Sequence, residues 1–214
     1  LDSGLMMPIS QLNALRRDGV AALEEKMAKV AEDGTGVDSI TFSGNGEPTM
    51  HPDFPKVIDL TLRLRDRYFP DAKVSVLSNA FLVGRPSVAQ ALRRVDNPIL
   101  KIDASSDELV RQINKPVGPY RLEDIIAALK GFDGNFILQT MFLRGEYAGC
   151  RVDNTSEEEV AAWLRLVEQI APRQVMVYSL DRDTPCKTLE KVTREELQTI
   201  AARVKSLGIE CSVA

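Results

Sequence analysis

The chain has 214 residues, 44% of them hydrophobic and 27% charged, with a formal charge of -4 from 27 Lys and Arg against 31 Asp and Glu. That composition belongs to a globular domain with one sizeable core, and it excludes a disordered tail, a fibrous repeat or a small disulfide-stapled scaffold. The mild acidity argues against a non-specific DNA-backbone binder, which carries a basic footprint, but leaves room for an RNA held by a local patch.

The pattern then alternates helices with short apolar runs. The first helix is expected within Ser10 to Asp33, where Val20, Leu23, Met27, Val30 and Ala31 recur at helical spacing before Gly34 and Gly36. The run DSITFS (38–43) reads as a strand and leads into the loop GNGEPTMHPDF. A helix is expected from about Asp53 to Tyr68, then the strand KVSVLS (73–78). Pro86 marks a helical N-terminus, where a missing N–H costs nothing. The strand PILKID (98–103) precedes a short helix capped by Ser105 or Ser106, the loop NKPVGPY, and a helix marked by Ile125, Ile126 and Leu129. After the strand NFILQTMF (135–142) comes a polar, glycine-containing loop, then a helix with the stripe Val160, Trp163, Leu164 and Val167. The strand RQVMVYSL (173–180) follows. Thr193 and Glu196 form a capping box for the last helix, and IECSV closes as a short strand.

Strand starts near 38, 73, 98, 135, 173 and 209 lie 25 to 38 residues apart, a spacing that suits repeated βα units and a parallel sheet. A barrel-like sheet and an open doubly wound sheet both fit this rhythm. No Pro/Gly-rich linker divides residues 1–214, so one domain is expected, with its core over about 15–214. The chain opens on a helix and without Met, so a missing first element, and hence a fragment, is expected. No apolar run approaches the ~20 residues of a membrane span, and the first ten residues lack a signal-peptide pattern. Three widely separated cysteines, Cys150, Cys186 and Cys211, fit a reducing, cytoplasmic setting.

Ligands bind at the carboxyl ends of parallel strands in both candidate folds. The residues there are polar: Ser43 and GNGEP; Ser78 and Asn79; Lys101, Asp103 and Ser105; Gln139 and Thr140; Ser179, Asp181, Arg182 and Asp183. Alternation aims Lys101 and Asp103 to the same side. GNGEP lacks both the GxGxxG spacing of a dinucleotide turn and the GK[ST] of a P-loop. Its Gly44 and Gly46 permit a sharp turn whose carbonyls, with Glu47, would bind an ammonium; a plain turn with Glu47 in solvent reads equally well. His51, the lone histidine, reads as part of a helix-entry turn, and no GxSxG elbow accompanies it. The cysteines read as ordinary thiols.

The stretch Thr41 to Phe54, TFSGNGEPTMHPDF, resembles the segment after the second strand of radical S-adenosylmethionine (radical SAM) enzymes, in the subgroup with a GNGEPT signature. Further pieces agree in order: LSNA (77–80), LKIDA (100–104), INKP (113–116), LQTMFLRG (138–145) and VYSLDRDTP (177–185). The resemblance implies an α/β fold, a partial (βα)6 TIM-like barrel lacking its first strand. It implies that Gly44, Asn45, Gly46, Glu47 and Pro48 meet the methionine amino group of S-adenosylmethionine. Ser78 and Asn79 would lie by the cofactor, Asp103 and Ser105 near its ribose or carboxylate, Gln139 and Met141 near its ribose or adenine, and Ser179 and Asp181 on the rim. The family's CxxxCxxC motif, which ligates three irons of a [4Fe-4S] cluster, does not occur in these residues.

The intact protein is thus expected to cleave S-adenosylmethionine reductively and take hydrogen from an unknown substrate: a small molecule, peptide or RNA. It would need an electron donor. The isolated chain is expected to be inactive and to hold no cluster, since thiolates are the cluster's ligands. A cluster-free nucleotide or S-adenosylmethionine binding module with a regulatory or scaffolding role is the alternative. A hydrolase-like or isomerase barrel is a third, with Asp103 or Glu47 as general base. No membrane partner is expected. Self-association is, through the exposed edge of the DSITFS strand.

Overall fold

The structure is a computed structural model that describes residues 9–34, 36–43, 46–147, 149–180, 186 and 188–214, with side chains from residue 21 onward. It begins with α1 (Ile9–Glu32) and β1 (Ser39–Phe42). The chain continues through a short 3-10 turn (Pro48–Met50), α2 (Phe54–Tyr68), β2 (Lys73–Ser78), α3 (Pro86–Leu92), β3 (Asn97–Lys101), α4 (Asp107–Asn114) and α5 (Leu122–Lys130). It ends with β4 (Ile137–Tyr147), β5 (Cys150–Asp153), α6 (Glu157–Ile170), β6 (Gln174–Ser179), β7 (Leu189–Lys191), α7 (Arg194–Ser206) and β8 (Glu210–Val213).

Six strands make one parallel sheet in the order β1-β2-β3-β4-β6-β8. The order follows the chain and never reverses. A doubly wound sheet reverses its order at a switch point; this one does not, which decides between the two architectures in favour of the partial barrel. Right-handed crossovers that always step the same way put the intervening helices on one face.

Side-chain alternation agrees. Val76, Leu100, Leu138 and Val175 point under the helices and are at most 1% exposed. They pack in one core with Ile58 of α2, Leu92 of α3, Leu129 of α5 and Trp163 of α6. Trp163 meets Phe142 edge to face, with ring centroids 5.2 Å apart. Burying each such side chain contributes roughly 1.5–3 kcal/mol, so this face holds the sheet together. Lys101, Gln139 and Met176, paired in register across β3, β4 and β6, point to the opposite, concave face and are only half-buried.

Helix ends follow their local chemistry. Thr193 and Glu196 form the expected capping box. Ser106, not Ser105, caps α4 by accepting the Leu109 N–H.

The expected loop after residue 142 is a correction. β4 runs on to Tyr147, and its far half carries β5 and β7 as antiparallel partners. Gly145 is required there: its φ is +136°, and a Cβ would lie 2.2 Å from the Thr188 carbonyl oxygen. Among the described residues no helix is long and apolar enough to cross a membrane.

Candidate functional site at the carboxyl rim

The rim is organised by two carboxylates. Glu47, just after β1, reaches across to the end of β2. Its Oε1 accepts the Ser78 hydroxyl at 2.7 Å, the Thr49 N–H at 3.1 Å and the Thr49 hydroxyl at 2.5 Å, and its Oε2 accepts the Asn79 N–H at 2.7 Å. A carboxylate offers about four acceptor sites on two oxygens. With three donors on Oε1 and one on Oε2, Oε2 keeps room for one more.

So Glu47 is not a solvent-facing side chain on a plain turn. It lashes its loop to β2. Pro48 begins the 3-10 turn that holds it. Ser78 also accepts the Ala80 N–H, and Asn79 Oδ1 accepts the Phe81 N–H, so the β2 end is locked in turn.

Beside this lash lies an open cleft of about 640 Å³, lined by Thr41, Ser43, Gly46, Glu47, Met50 and His51. A Cβ built at Gly46 meets nothing within 4 Å. Gly46 is exposed and borders the cleft. His51 Nδ1 accepts the Asp53 N–H at 3.1 Å, which is a helix-entry turn. Gly44 and Asn45 lie outside the described residues, as does Asp181.

The second carboxylate, Asp103, follows β3 and its side chain is 0% exposed. It accepts the Met141 N–H at 2.8 Å, the Asn114 amide at 2.7 Å and the Lys101 ammonium at 2.8 Å. Lys101 and Asp103 do face the same side. Burial opposes the charge on Lys101, but Asp103 and Tyr178 outweigh it and hold its pKa above the ordinary lysine value. Tyr178 is pushed up mainly by its own burial. Fully enclosed and ion-paired to Lys101, Asp103 is no free general base, and the hydrolase or isomerase reading loses one of its two candidates.

The other expected rim residues separate. Ser105 gives its N–H and hydroxyl to Glu159 of α6, at 2.5 and 2.7 Å. Gln139 stands on the concave face between Lys101 and Met176. Met141 bonds Asp103 through its backbone and lines a pocket described below. Ser179 does not reach the rim: it is 3% exposed, donates to the Phe142 carbonyl and accepts the Val192 N–H.

Sequence reasoning missed Asn154. Fully enclosed, it donates to the carbonyls of Asp103 and Met141 and accepts the Leu143 N–H, each at 2.7 Å, pinning the ends of β3 and β4 together. Nothing local flags it, since it sits in the polar run DNTSEEE.

A cluster's ligands are not assembled from the three cysteines. Cys150 is exposed on β5, Cys186 is half-buried, and Cys211 is buried on β8 with its thiol pushed up by burial to about 11. Among the described residues no three His, Cys, Asp or Glu side chains converge to hold a metal ion. The cysteines therefore do not fit a [4Fe-4S] group. The cleft beside Glu47 offers a polar guest the spare acceptor site on Oε2.

The family model "Radical SAM superfamily" matches residues 11–153. The chain belongs to the radical SAM superfamily. A UPF0026 protein of Synechocystis sp. is 29% identical over 159 residues, covering 72% of this chain and 54% of that protein. A UPF0026 protein of Helicobacter pylori is 25% identical, covering 76% of this chain and 50% of its own length. The chain thus spans about half of these relatives.

Among solved structures, a radical SAM methyltransferase from Sphaerobacter thermophilus superposes with a TM-score of 0.63 at 16% identity, covering 91% of this chain and 56% of that one. A domain of pyruvate-formate lyase-activating enzyme from Bacteroides vulgatus gives 0.61 at 14% identity, covering 83% of this chain and 99% of that one. At such identity these two bear on the fold alone. Membership of the radical SAM superfamily implies S-adenosylmethionine and a [4Fe-4S] cluster as its chemistry.

Proposed function

We propose that the carboxyl rim is a binding site for S-adenosylmethionine. In this reading the 214 residues are the cofactor-binding part of a longer radical SAM enzyme of the GNGEPT type, whose cluster cysteines lie outside them. The observation that carries it is the Glu47 lash: one carboxylate with four donors, two of them 31 and 32 positions on, beside an open cleft.

Bound there, the cofactor supplies hydrogen-abstraction chemistry. The chain's own residues orient and enclose it. Glu47 ties its loop to the end of β2 and would offer the spare site on Oε2 to the cofactor's ammonium. Asp103, held by Met141, Asn114 and Lys101, fixes the end of β3.

Calorimetric titration with S-adenosylmethionine tests this. Glu47→Gln turns one acceptor oxygen into a donor facing the Asn79 N–H. It is expected to weaken binding at least roughly tenfold, in line with the cost of an unpaired buried group. Equal affinity for wild type and variant, or no binding by either, overturns the proposal.

The cluster-free binding module is a second reading, favoured by the scattered cysteines. It also predicts binding. The two part when the native full-length protein is reconstituted anaerobically with iron and sulfide. Cofactor cleavage there supports the enzyme, and binding without cleavage supports the module.

A further inference from the structure

The segment between β3 and α5 is held firmly at its base and loosely at its tip. α4, of 8 residues, buries one side chain, Val110, whereas the 9-residue α5 buries Leu122, Ile125, Ile126 and Leu129. The base is stapled. Asp107 accepts the Leu122 N–H at 2.6 Å, and Arg111 donates to the Tyr120 carbonyl at 2.6 Å, so the two feet of the excursion are tied to each other. Beyond Arg111 the ties thin out. Among the described residues, Pro116, Val117, Gly118 and Pro119 make no hydrogen bond to another element.

Two contacts hold the tip, residues 112–119. The Asn114 amide donates to the buried Asp103 at 2.7 Å. The Lys115 ammonium rests 3.7 Å above the centre of the Tyr147 ring, placed there by a left-handed cap at the end of α4 with φ +45°. A cation–π contact at an exposed position is weak, so this second tie is readily exchanged.

The tip has space on both sides. A cavity of about 180 Å³ lies between it and the β5-β4-β7 extension, where Leu143, Tyr147 and Val152 form the other wall. A second, of about 340 Å³, lies between it and the carboxyl rim, where the wall is Met50, Asn79, Phe81 and Met141. Ile113 and Lys115 line both. Protein interiors are close-packed, so a partition with a void on each face is seated against neither wall. Met50 and Val117, both at the rim cavity, are 66% and 89% exposed, and they are two of the three large apolar side chains so exposed among the described residues. Bringing them together would remove apolar surface from water.

We propose that residues 112–119 are a hinged lid over the carboxyl rim. The Arg111–Tyr120 staple is its hinge. Lys115 on Tyr147 is a latch that holds it back against the β5-β4-β7 extension. S-adenosylmethionine on the rim closes it and brings Val117 down towards Met50. Asn79 and Met141, the rim residues expected beside the cofactor, line the cavity that the lid closes over. A ligand there gains contact with the tip only in the closed form, and that difference shifts the equilibrium. The identity of the closing ligand rests on the cofactor reading above; the hinge, the latch and the two cavities rest on the geometry alone.

The test is calorimetric titration of the full chain with S-adenosylmethionine, with hydrogen exchange read over residues 112–119. Binding is expected to slow exchange there severalfold. Lys115→Gln removes the latch charge. It is expected to tighten binding about two- to fivefold, because closure no longer gives up a cation–π contact. A lysine that touched the ligand itself would give the opposite sign. Tyr147→Leu removes the other half of the latch and is expected to act in the same direction, with the double variant no tighter than the better single one. Val117→Asp leaves the open fold intact, since the residue is 89% exposed, and is expected to weaken binding severalfold because closure buries the new charge.

Binding of S-adenosylmethionine with unchanged exchange over 112–119 overturns the lid and leaves the cofactor site standing. So does an affinity that Lys115→Gln lowers or leaves alone. No binding by the wild type or any variant overturns the cofactor reading and the lid together.

Discussion

The two ends of the sheet use carboxylates in opposite ways. At the amino end, Asp96 precedes β3 and accepts the Val74 N–H at 2.8 Å and Arg65 at 2.9 Å. Arg65 also reaches the Ala72 carbonyl, and Arg173 bridges the Asp96 carbonyl to Asn97. Arginines stitch adjoining strands to one another there. At the carboxyl end, Glu47 and Asp103 bind loops and strand ends, and cavities lie beside both. The amino end is built for stability, and the carboxyl end spends its charge on holding loops around empty space. That division is the one expected of a barrel fold.

The sharpest way to break this division is Asp103→Ala. It strips a fully buried carboxylate from Lys101 and orphans the Met141 N–H. Breaking one half of a buried pair costs roughly 3–5 kcal/mol, so the urea midpoint should fall far below that of any amino-end variant. The double variant Lys101→Met with Asp103→Leu should recover much of that loss, because no uncompensated charge remains. A double variant as unstable as Asp103→Ala would show that the pair is not the source.

How much of this was legible beforehand depends on the range of the interaction. The six parallel strands were readable because KVSVLS or RQVMVYSL pairs β-forming composition with a βα rhythm, and both signals are local. β5 and β7 were not. CRVD and LEK are short and charged, and they become strands only because β4 is there to pair with them. The GNGEP loop stood out by composition, but nothing local says that Glu47 finds Ser78, 31 residues on. Asn154, whose contacts reach back 51 positions to Asp103, was invisible for the same reason. Ser179 shows the converse: a polar residue at a strand end, absorbed by two backbone partners.

The amino end offers a smaller effect with a different signature. Burial alone would raise the Asp96 pKa, but the Val74 N–H and Arg65 outweigh it and hold it below the ordinary carboxylate range. A depressed pKa contributes stability above the unfolded-state value and loses it as pH falls through the folded one. Asp96→Asn keeps an acceptor for Val74 and removes the charge. It should cost about 1–2 kcal/mol at neutral pH and flatten the acid limb of the stability curve, while S-adenosylmethionine affinity stays as it was. A loss of cofactor affinity would mean that the two ends are coupled and the division drawn above is wrong.

The smallest effect belongs to the carboxyl end's outer tie. Arg144, on the far half of β4, forks onto Glu196 of α7 at 2.7 and 3.2 Å. The Arg144 hydrogen bond, with help from the Thr193 N–H, pushes the Glu196 carboxyl down to about 2. The sign is that of Asp96: its contribution is complete above the ordinary glutamate range and disappears as pH falls towards 2. Glu196 is 41% exposed, however, so solvent screens the pair. Arg144→Leu should cost less than about 1 kcal/mol at low salt, and less again at high salt. A loss that ignores salt would mean that Arg144 acts through packing against the β4–β7 pairing rather than through charge. That would move this tie from the carboxyl end's electrostatics into the same structural class as the arginine stitches at the amino end.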